Sequence, residues 1–331
     1  MLKKVINPYE KLKEVLADDL SKVSELIKER MQSKHAPLIG EISSHLIGSG
    51  GKRLRPLLTL AAAKICGYQG ELNIHLAATV EFIHTATLLH DDVVDESEKR
   101  RGSSSVNILW NNSSSVLVGD YLFARSFQLM TETGRLDVLE TLSNASANIA
   151  EGEVLQLSAS EDITTDEEVY YKIIRGKTAA LFSASTEVGA MLADADKDTI
   201  KALASYGDAL GVCFQIVDDI LDFVGDGDKV GKNLGDDFRE RKLTLPMIHA
   251  ISKADDKELK FWERTIVDGD QNSKDFEKAL VILKSRSSIN YSKRVANKWS
   301  KTAKKALTDI PDTPLKCILE ELSDYVVSRV N

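Results

Sequence analysis

Between Pro56 and Pro246 the chain contains no proline. Proline lacks a backbone N–H and breaks a helix interior. A proline-free stretch of this length, with no run of alternating polar and apolar residues, predicts helices rather than strands. Abundant Ala, Leu and Ile and only 6% aromatic residues agree. Leu12, Val15, Leu16, Leu20, Val23 and Leu26 form a helical stripe. A glycine-rich break follows at Gly48-Ser49-Gly50-Gly51, and Pro56 suits the first turn of the next helix. Another helix is predicted from near Glu71, past Leu89, into His90-Asp91-Asp92. Ser103–Ser105 and Asn111–Ser115 read as loop and cap residues. Further helices are predicted at 116–133, 136–158, 166–191, 197–223, 243–253, 274–285, 289–307 and 314–329. No repeat of solenoid length and no shift in composition appears. The expectation is one all-α domain over residues 1–331, a large helical bundle. Since 331 residues is long for one solid core, the bundle is expected to surround a central hydrophobic cavity.

Asp and Glu number 51 against 43 Lys and Arg, a net charge of −8. That balance excludes a nucleic-acid binder held by a general positive field. Cys66, Cys213 and Cys317 lie far apart with no CxxC spacing. They form neither a zinc framework nor a disulfide scaffold, and they fit a reducing compartment. No apolar run of the ~20 residues needed to span a bilayer is evident, and the N-terminus lacks a signal core. A cytoplasmic protein without a transmembrane segment is expected.

The acid has two conspicuous clusters. Asp91, Asp92 and Asp95 make a DDxxD, and Asp218, Asp219 and Asp222 repeat the spacing far downstream. On a helix, residues four apart share a face, so Asp91 with Asp95, and Asp218 with Asp222, form carboxylate pairs. Each cluster follows an apolar run, which puts it at the end of a buried helix, where it needs a cation. Hard oxygen donors of this kind select Mg²⁺, which also binds substrate phosphates. A calcium loop is disfavoured because neither copy has the central Gly and terminal Glu of that pattern. A glycosidase needs two acids, not six. A lone DDxxD is as often a solvated helix end, but two behind apolar helices are not.

Bases accompany both clusters. Gly50-Gly51-Lys52-Arg53-Leu54-Arg55-Pro56 puts three in a glycine-rich turn before a helix, where N–H groups and the helix dipole favour an anion. It is not a Walker A loop. Arg100-Arg101-Gly102 follows the first cluster, and Arg forks suit diphosphate oxygens. Gly176-Lys177-Thr178 lies mid-chain, and Gly231-Lys232 and Lys242 flank a charged loop after the second cluster. Any one of these alone would be a solvated face. Beside the Asp clusters they suggest two diphosphates, one bridged by Mg²⁺ and one held by Lys and Arg.

The segments GGKRLRP, EFIHTATLLHDDVVDESEKRRG, GDYLFA, GKTAALF, FQIVDDILDF and GKNLGDDFRERKLTLP together resemble the trans-type polyprenyl diphosphate synthases. The likeness runs from Gly50 to at least Pro246. It implies the isoprenoid synthase fold and head-to-tail condensation of isopentenyl diphosphate onto an allylic diphosphate, with three Mg²⁺ ions. It implies Asp91, Asp95 and Asp218 as direct Mg²⁺ ligands, supported by Asp92, Asp219 and Asp222. Arg100, Lys177, Thr178, Gln215, Lys232 and Lys242 match positions that hold the allylic diphosphate. Lys52, Arg55, His84 and Arg101 match positions that hold isopentenyl diphosphate. His84 lies seven residues, about two turns, before Asp91; a lone histidine near a core is usually structural, and the motif favours ligand contact. Gln215 or Thr178 could steady an allylic cation. The family often has Gly where this chain has Arg241, which weakens the match at Lys242.

In this family the product grows into a cavity lined by residues one to two turns before the first Asp cluster, here Ala86 and Thr87. A bulky aromatic there closes the cavity in short-chain members. With Ala86, the floor is expected deeper, at Phe123, Phe127 or Met130, although each also reads as a plain core residue. The resemblance implies a long all-trans product of eight to ten isoprene units (about C40–C50), of the octaprenyl or decaprenyl type, for quinone side chains. A farnesyl- or geranylgeranyl-type product is the alternative. A terpene cyclase would have no use for Lys52 and Arg55, a non-catalytic subunit tends to lose the Asp clusters, and a structural bundle gives no reason for six Asp beside these bases. A homodimer through the Ser113–Met130 region is expected, and membrane contact, peripheral at most, for delivery of a greasy product.

Overall fold

Proline marks where helices begin. Five of the six prolines lie in a first turn: Pro8, Pro37, Pro56, Pro246 and Pro314. There the missing N–H costs nothing, because the first N–H groups of a helix have no intrahelical acceptor. The computed structural model describes residues 7–48, 50–100, 102–225 and 234–330. They are helical almost throughout; the strands among them are the two-residue pair Lys99–Arg100 and Ser103–Ser104, where a loop was expected.

The chain divides into two compact units. The first comprises residues up to Ser146, Leu181–Gly207 and Ala306–Leu322; the second comprises Ala147–Ala180, Asp208–Lys305 and residues from Ser323 on. No shift in composition marks the divisions, because they fall within or beside helices.

In the first unit, α1 (Pro8–Val15) and α2 (Ala17–Arg30) share the apolar stripe expected of one helix. Leu16 breaks it with φ −109° and ψ 18°. Then come α3 (Pro37–Gly48), which the sequence reading passed over, α4 (Leu54–Ile65) and α5 (Leu72–Val94). Helix α5 is central: Leu76, Val80, Phe82, Ile83, Ala86 and Leu89 are all buried, and it packs on α2, α4 and α7 (Asn112–Glu132). Each such large apolar side chain contributes about 1.5–3 kcal/mol on burial. The short α6 (Val106–Leu109) precedes α7, whose N-cap is Asn111, accepting from the Ser114 N–H at 2.7 Å. Helix α7 therefore starts one turn before the predicted 116.

Helix α8 (Leu136–Ala159) is followed in the second unit by α9 (Glu167–Ile174). A single π turn, Arg175–Ala179, interrupts the helix predicted for 166–191, which resumes as α10 (Ala180–Leu192). Helix α11 (Lys197–Val224) carries the second Asp cluster near its C-terminal end. By length and composition α11 would suffice to cross a bilayer, contrary to the sequence reading, but more than half of its most apolar stretch is buried inside the protein. Helices α12 (Asp236–Arg239), α13 (Leu245–Ile251), α14 (Asp256–Trp262), α15 (Asp275–Ser285), α16 (Ser288–Ala306) and α17 (Pro314–Ser328) follow. Helix α14, also missed from sequence, opens with a reciprocal cap between Asp255 and Glu258.

Candidate functional site

Helix α5 delivers the first cluster. Asp91 and Asp92 occupy its last turn and Asp95 is its C-cap, with the Asp95 N–H donating to the Asp91 carbonyl at 2.8 Å. The half-buried Asp91 and Asp95 thus follow each other by one turn. Asp92 turns inward and is buried; the Arg100 Nε and Nη2 both donate to its Oδ1 at 2.6 Å. The Asp92 carbonyl accepts from the Ser97 N–H at 3.0 Å and from Asn107 Nδ2 at 3.1 Å. These bonds tie the end of α5 to the hairpin that presents Arg100. Arg100 therefore has a carboxylate partner as well as the diphosphate role implied by resemblance.

A cavity of about 230 Å³ lies beside this cluster, lined in part by Phe82, Thr85, Leu88, Leu89, Asp92 and Arg100. Gly50, Gly51 and Arg53 of the glycine-rich turn border it. Arg53 has a left-handed backbone (φ 47°), and its guanidinium donates to Ser24 Oγ. Lys52 is exposed, and its carbonyl accepts the Tyr9 hydroxyl at 2.8 Å. The Arg55 guanidinium lies over the Phe182 ring at 4.5 Å. His84 is half-buried on α5, and its carbonyl accepts from Thr87 Oγ1 at 2.8 Å. Ala86 and Met130 are fully buried and Phe123 is half-buried. Phe127 stands edge-on to Phe123 at 5.2 Å but is 37% exposed, so it lies on the surface of α7 rather than at the floor of an enclosed cavity.

The second unit holds a hydrogen-bonded chain built on three helical segments. The Tyr170 hydroxyl on α9 donates to Asp219 Oδ2 at 2.6 Å. Gln215, one turn before Asp219 on α11, donates from Nε2 to Asp219 Oδ1 at 2.8 Å. Thr178, in the π turn, donates from Oγ1 to Gln215 Oε1 at 2.7 Å. Tyr170 and Asp219 are both buried. Burial pushes the Asp219 carboxyl up to about 7; the charges of Asp218 and Asp222 add to the rise, and the Tyr170 and Gln215 hydrogen bonds oppose it. Burial and the adjoining Asp219 likewise push the Tyr170 phenol up. Replacing Tyr170 with Phe would leave an acceptor on a buried carboxyl unsatisfied. Y170F is expected to lose about 1–3 kcal/mol of unfolding free energy in urea titration.

The π turn also sets Lys177. A Cβ on Gly152 of α8 would lie 2.6 Å from the Lys177 backbone N, and one on Gly176 would lie 2.7 Å from the Asn148 carbonyl O. Two glycines thus allow backbone-to-backbone approach of α8 and the π turn. The Lys177 ammonium then donates to Glu153 Oε2 at 2.8 Å and Gln156 Oε1 at 2.9 Å.

The other two members of the second cluster have different partners. Asp218 is 40% exposed and pairs with the Arg329 guanidinium at 3.0 Å; Arg329 also lies over the Phe214 ring at 5.3 Å. Asp222 accepts the backbone N–H groups of Asp236 and Asp237 at 3.1 and 3.2 Å, anchoring α12. Lys242 Nζ pairs with Glu240 at 2.7 Å. Arg241 adopts φ 58°, a conformation that favours glycine, which explains why the resembling family often has Gly here. In this chain the Arg241 side chain is held by Glu161 at 2.5 Å. Arg101 and Lys232 lie outside the described residues.

Asp92, Asp219 and Asp222 direct oxygens to Arg100, to Tyr170 and Gln215, and to backbone N–H groups. Asp91, Asp95, Asp218 and Asp222 are half-buried, and Asp218 pairs with Arg329. Among the described residues no three His, Cys, Asp or Glu side chains converge to enclose an ion by themselves. Carboxylate oxygens are hard donors of the kind Mg²⁺ takes one or two of, completing its shell with water and phosphate oxygens. Tyr170, Arg329, Glu153 and Gln156 were not found from sequence; contacts between segments far apart in the chain bring Tyr170 and Arg329 to the second cluster and Glu153 and Gln156 to Lys177.

The profile of the Polyprenyl synthetase family matches residues 36–283. The chain is 41% identical over 320 residues to the octaprenyl diphosphate synthase of Escherichia coli (strain K12), covering 97% of this chain and 98% of that protein. A crystal structure of a decaprenyl diphosphate synthase from Rhodobacter capsulatus shares 58% identity, with a TM-score of 0.94 over 98% of this chain and 99% of that one. A polyprenyl synthase from Caulobacter crescentus CB15, solved with calcium and isoprenyl diphosphate, shares 46% identity, with a TM-score of 0.94 over 98% of each chain.

Proposed function

The chain belongs to the polyprenyl synthetase family, and from that premise we propose how its residues carry the reaction. It is a prenyltransferase that condenses isopentenyl diphosphate head-to-tail onto an allylic diphosphate, giving a long all-trans polyprenyl diphosphate. The observation that carries the residue assignment is the placement of Asp91 and Asp95 one turn apart at the end of α5, and of the half-buried Asp218 near the end of α11. Asp91, Asp95 and Asp218 would hold Mg²⁺, and Asp92, Asp219 and Asp222 fix the helix ends around them. When bound, Mg²⁺ supplies positive charge to the allylic diphosphate so that it can leave. Arg100, Lys177, Lys232 and Lys242 orient that diphosphate and complement its growing charge. Lys52, Arg55, His84 and Arg101 hold isopentenyl diphosphate with its double bond toward the allylic carbon. Thr178 and Gln215, already hydrogen-bonded together at 2.7 Å, offer oxygen dipoles to the allylic cation. The released diphosphate is the base that takes the final proton, so no protein nucleophile is required.

We further propose that the chain works as a homodimer. The exposed Val116, Leu117 and Phe127 on α7 support this, since apolar side chains clustered on one helix are suited to a partner subunit. We propose a quinone ring as the acceptor of the finished chain.

The test is to incubate purified protein with isopentenyl and farnesyl diphosphates and size the products by chromatography. Long products are expected with Mg²⁺, none after chelation with EDTA, and full recovery when Mg²⁺ is restored. Products that stop at the geranylgeranyl stage would favour the short-chain reading, and turnover in EDTA would overturn the metal assignment.

A further inference from the structure

Residues 278–308 contain nine Lys and Arg and no Asp or Glu, in a chain whose net charge is −8. Helix α16 organises this charge. Its inward face is made of small buried residues, Ser288, Ser292, Ala296, Ser300 and Ala303. Its outward face carries Arg294, Lys298, Lys301 and Lys305, all exposed. Steps of four, three and four residues hold them within an arc of about 60° over a length of about 17 Å. Lys304 lies off this line and is neutralised by Asp324 at 2.8 Å. Among the described residues no ion pair engages Arg294, Lys298 or Lys301; Arg294 lies 5.8 Å from the Tyr291 ring.

We propose that this stripe is the face by which the protein docks on an anionic lipid bilayer. The choice of partner rests on the long-chain product, whose hydrocarbon tail is driven out of water and must pass to a membrane. Charge complementarity selects the face. An anionic surface repels the chain's overall charge and attracts a local row of bases. Asn297 and Thr302 border the stripe, and no large apolar side chain on it is exposed. The contact is therefore electrostatic and reversible, without insertion, and weakens as salt shortens the Debye length.

Vesicle sedimentation without substrate tests this separately from catalysis. At low salt the full chain is expected to sediment with phosphatidylcholine vesicles containing phosphatidylglycerol and not with pure phosphatidylcholine. Each neutralised base should cost about five-fold in partition, so R294Q/K298Q/K301Q/K305Q should lose at least a hundred-fold. Its circular dichroism and its turnover in solution should match wild type. K257Q/K260Q/K274Q, which removes exposed bases elsewhere, should bind vesicles like wild type. Undiminished binding by the stripe variant, or no binding of wild type to anionic vesicles, overturns the proposal. Tighter binding to single-stranded RNA than to anionic vesicles also overturns it and assigns the stripe to nucleic acid.

Discussion

Asp91→Ala and Asp218→Ala are each expected to lower turnover by about three orders of magnitude while the protein stays folded. Removing one preorganised electrostatic partner of a developing charge typically costs 10²–10³-fold, and in the proposed assignment each of these carboxylates serves a site that must neutralise a whole diphosphate. Stability should move little, for different reasons at the two positions. Asp91 lies in the last turn of α5, where the helix dipole disfavours negative charge by about 0.3–1 kcal/mol; alanine there is expected to raise the metal-free melting temperature slightly. Asp218 pairs with Arg329 across side chains that are 40% and 22% exposed, and such pairs contribute less than about 1 kcal/mol. Steady-state turnover and thermal melting, measured on the same preparations, check both halves. Near-wild-type turnover in either variant would remove that carboxylate from the metal set.

Ala86→Phe is expected to shift the product from long chains to the farnesyl or geranylgeranyl class. Ala86 is fully buried on α5, between one and two turns before Asp91. Two outcomes separate a cavity wall from ordinary core. If Ala86 borders the space into which the product grows, the added ring occupies that space, shortens the product and leaves stability close to wild type. If Ala86 faces packed side chains, the ring overpacks the core at a cost of about 1–3 kcal/mol, and chain length is unchanged. Chromatography of the products with urea titration of the apoprotein distinguishes the two.

Much of this was legible in the sequence because it is local. Proline placement, apolar periodicity and the DDxxD spacing are properties of neighbouring residues, and α5 with its terminal carboxylates follows from them. The break at Leu16 was not legible, because the apolar stripe runs through it unchanged. Helix α14 did leave a signal, Asp255 and Glu258 three residues apart, but it is short and polar enough to pass for loop. Arg241 carried its own signal as a departure from Gly, and its positive φ gives that departure its meaning. Tyr170 and Arg329 left none. Tyr170 meets Asp219 and Arg329 meets Asp218 only once distant segments have packed together, and no spacing rule connects them.

The π turn at Arg175–Ala179 has a consequence for phase. Tyr170 and Thr178 are eight residues apart, which in an unbroken α-helix puts them about 80° apart around the axis. Holding one extra residue in a turn removes about 100° of that rotation, so the two side chains come to within about 20° of a common line. That line is what allows Tyr170 to reach Asp219 and Thr178 to reach Gln215, which are stacked one turn apart on α11. Winding the turn into regular α-helix with its length unchanged would restore the 80° and rotate these two donors out of alignment, although every residue that bonds to the cluster would still be present.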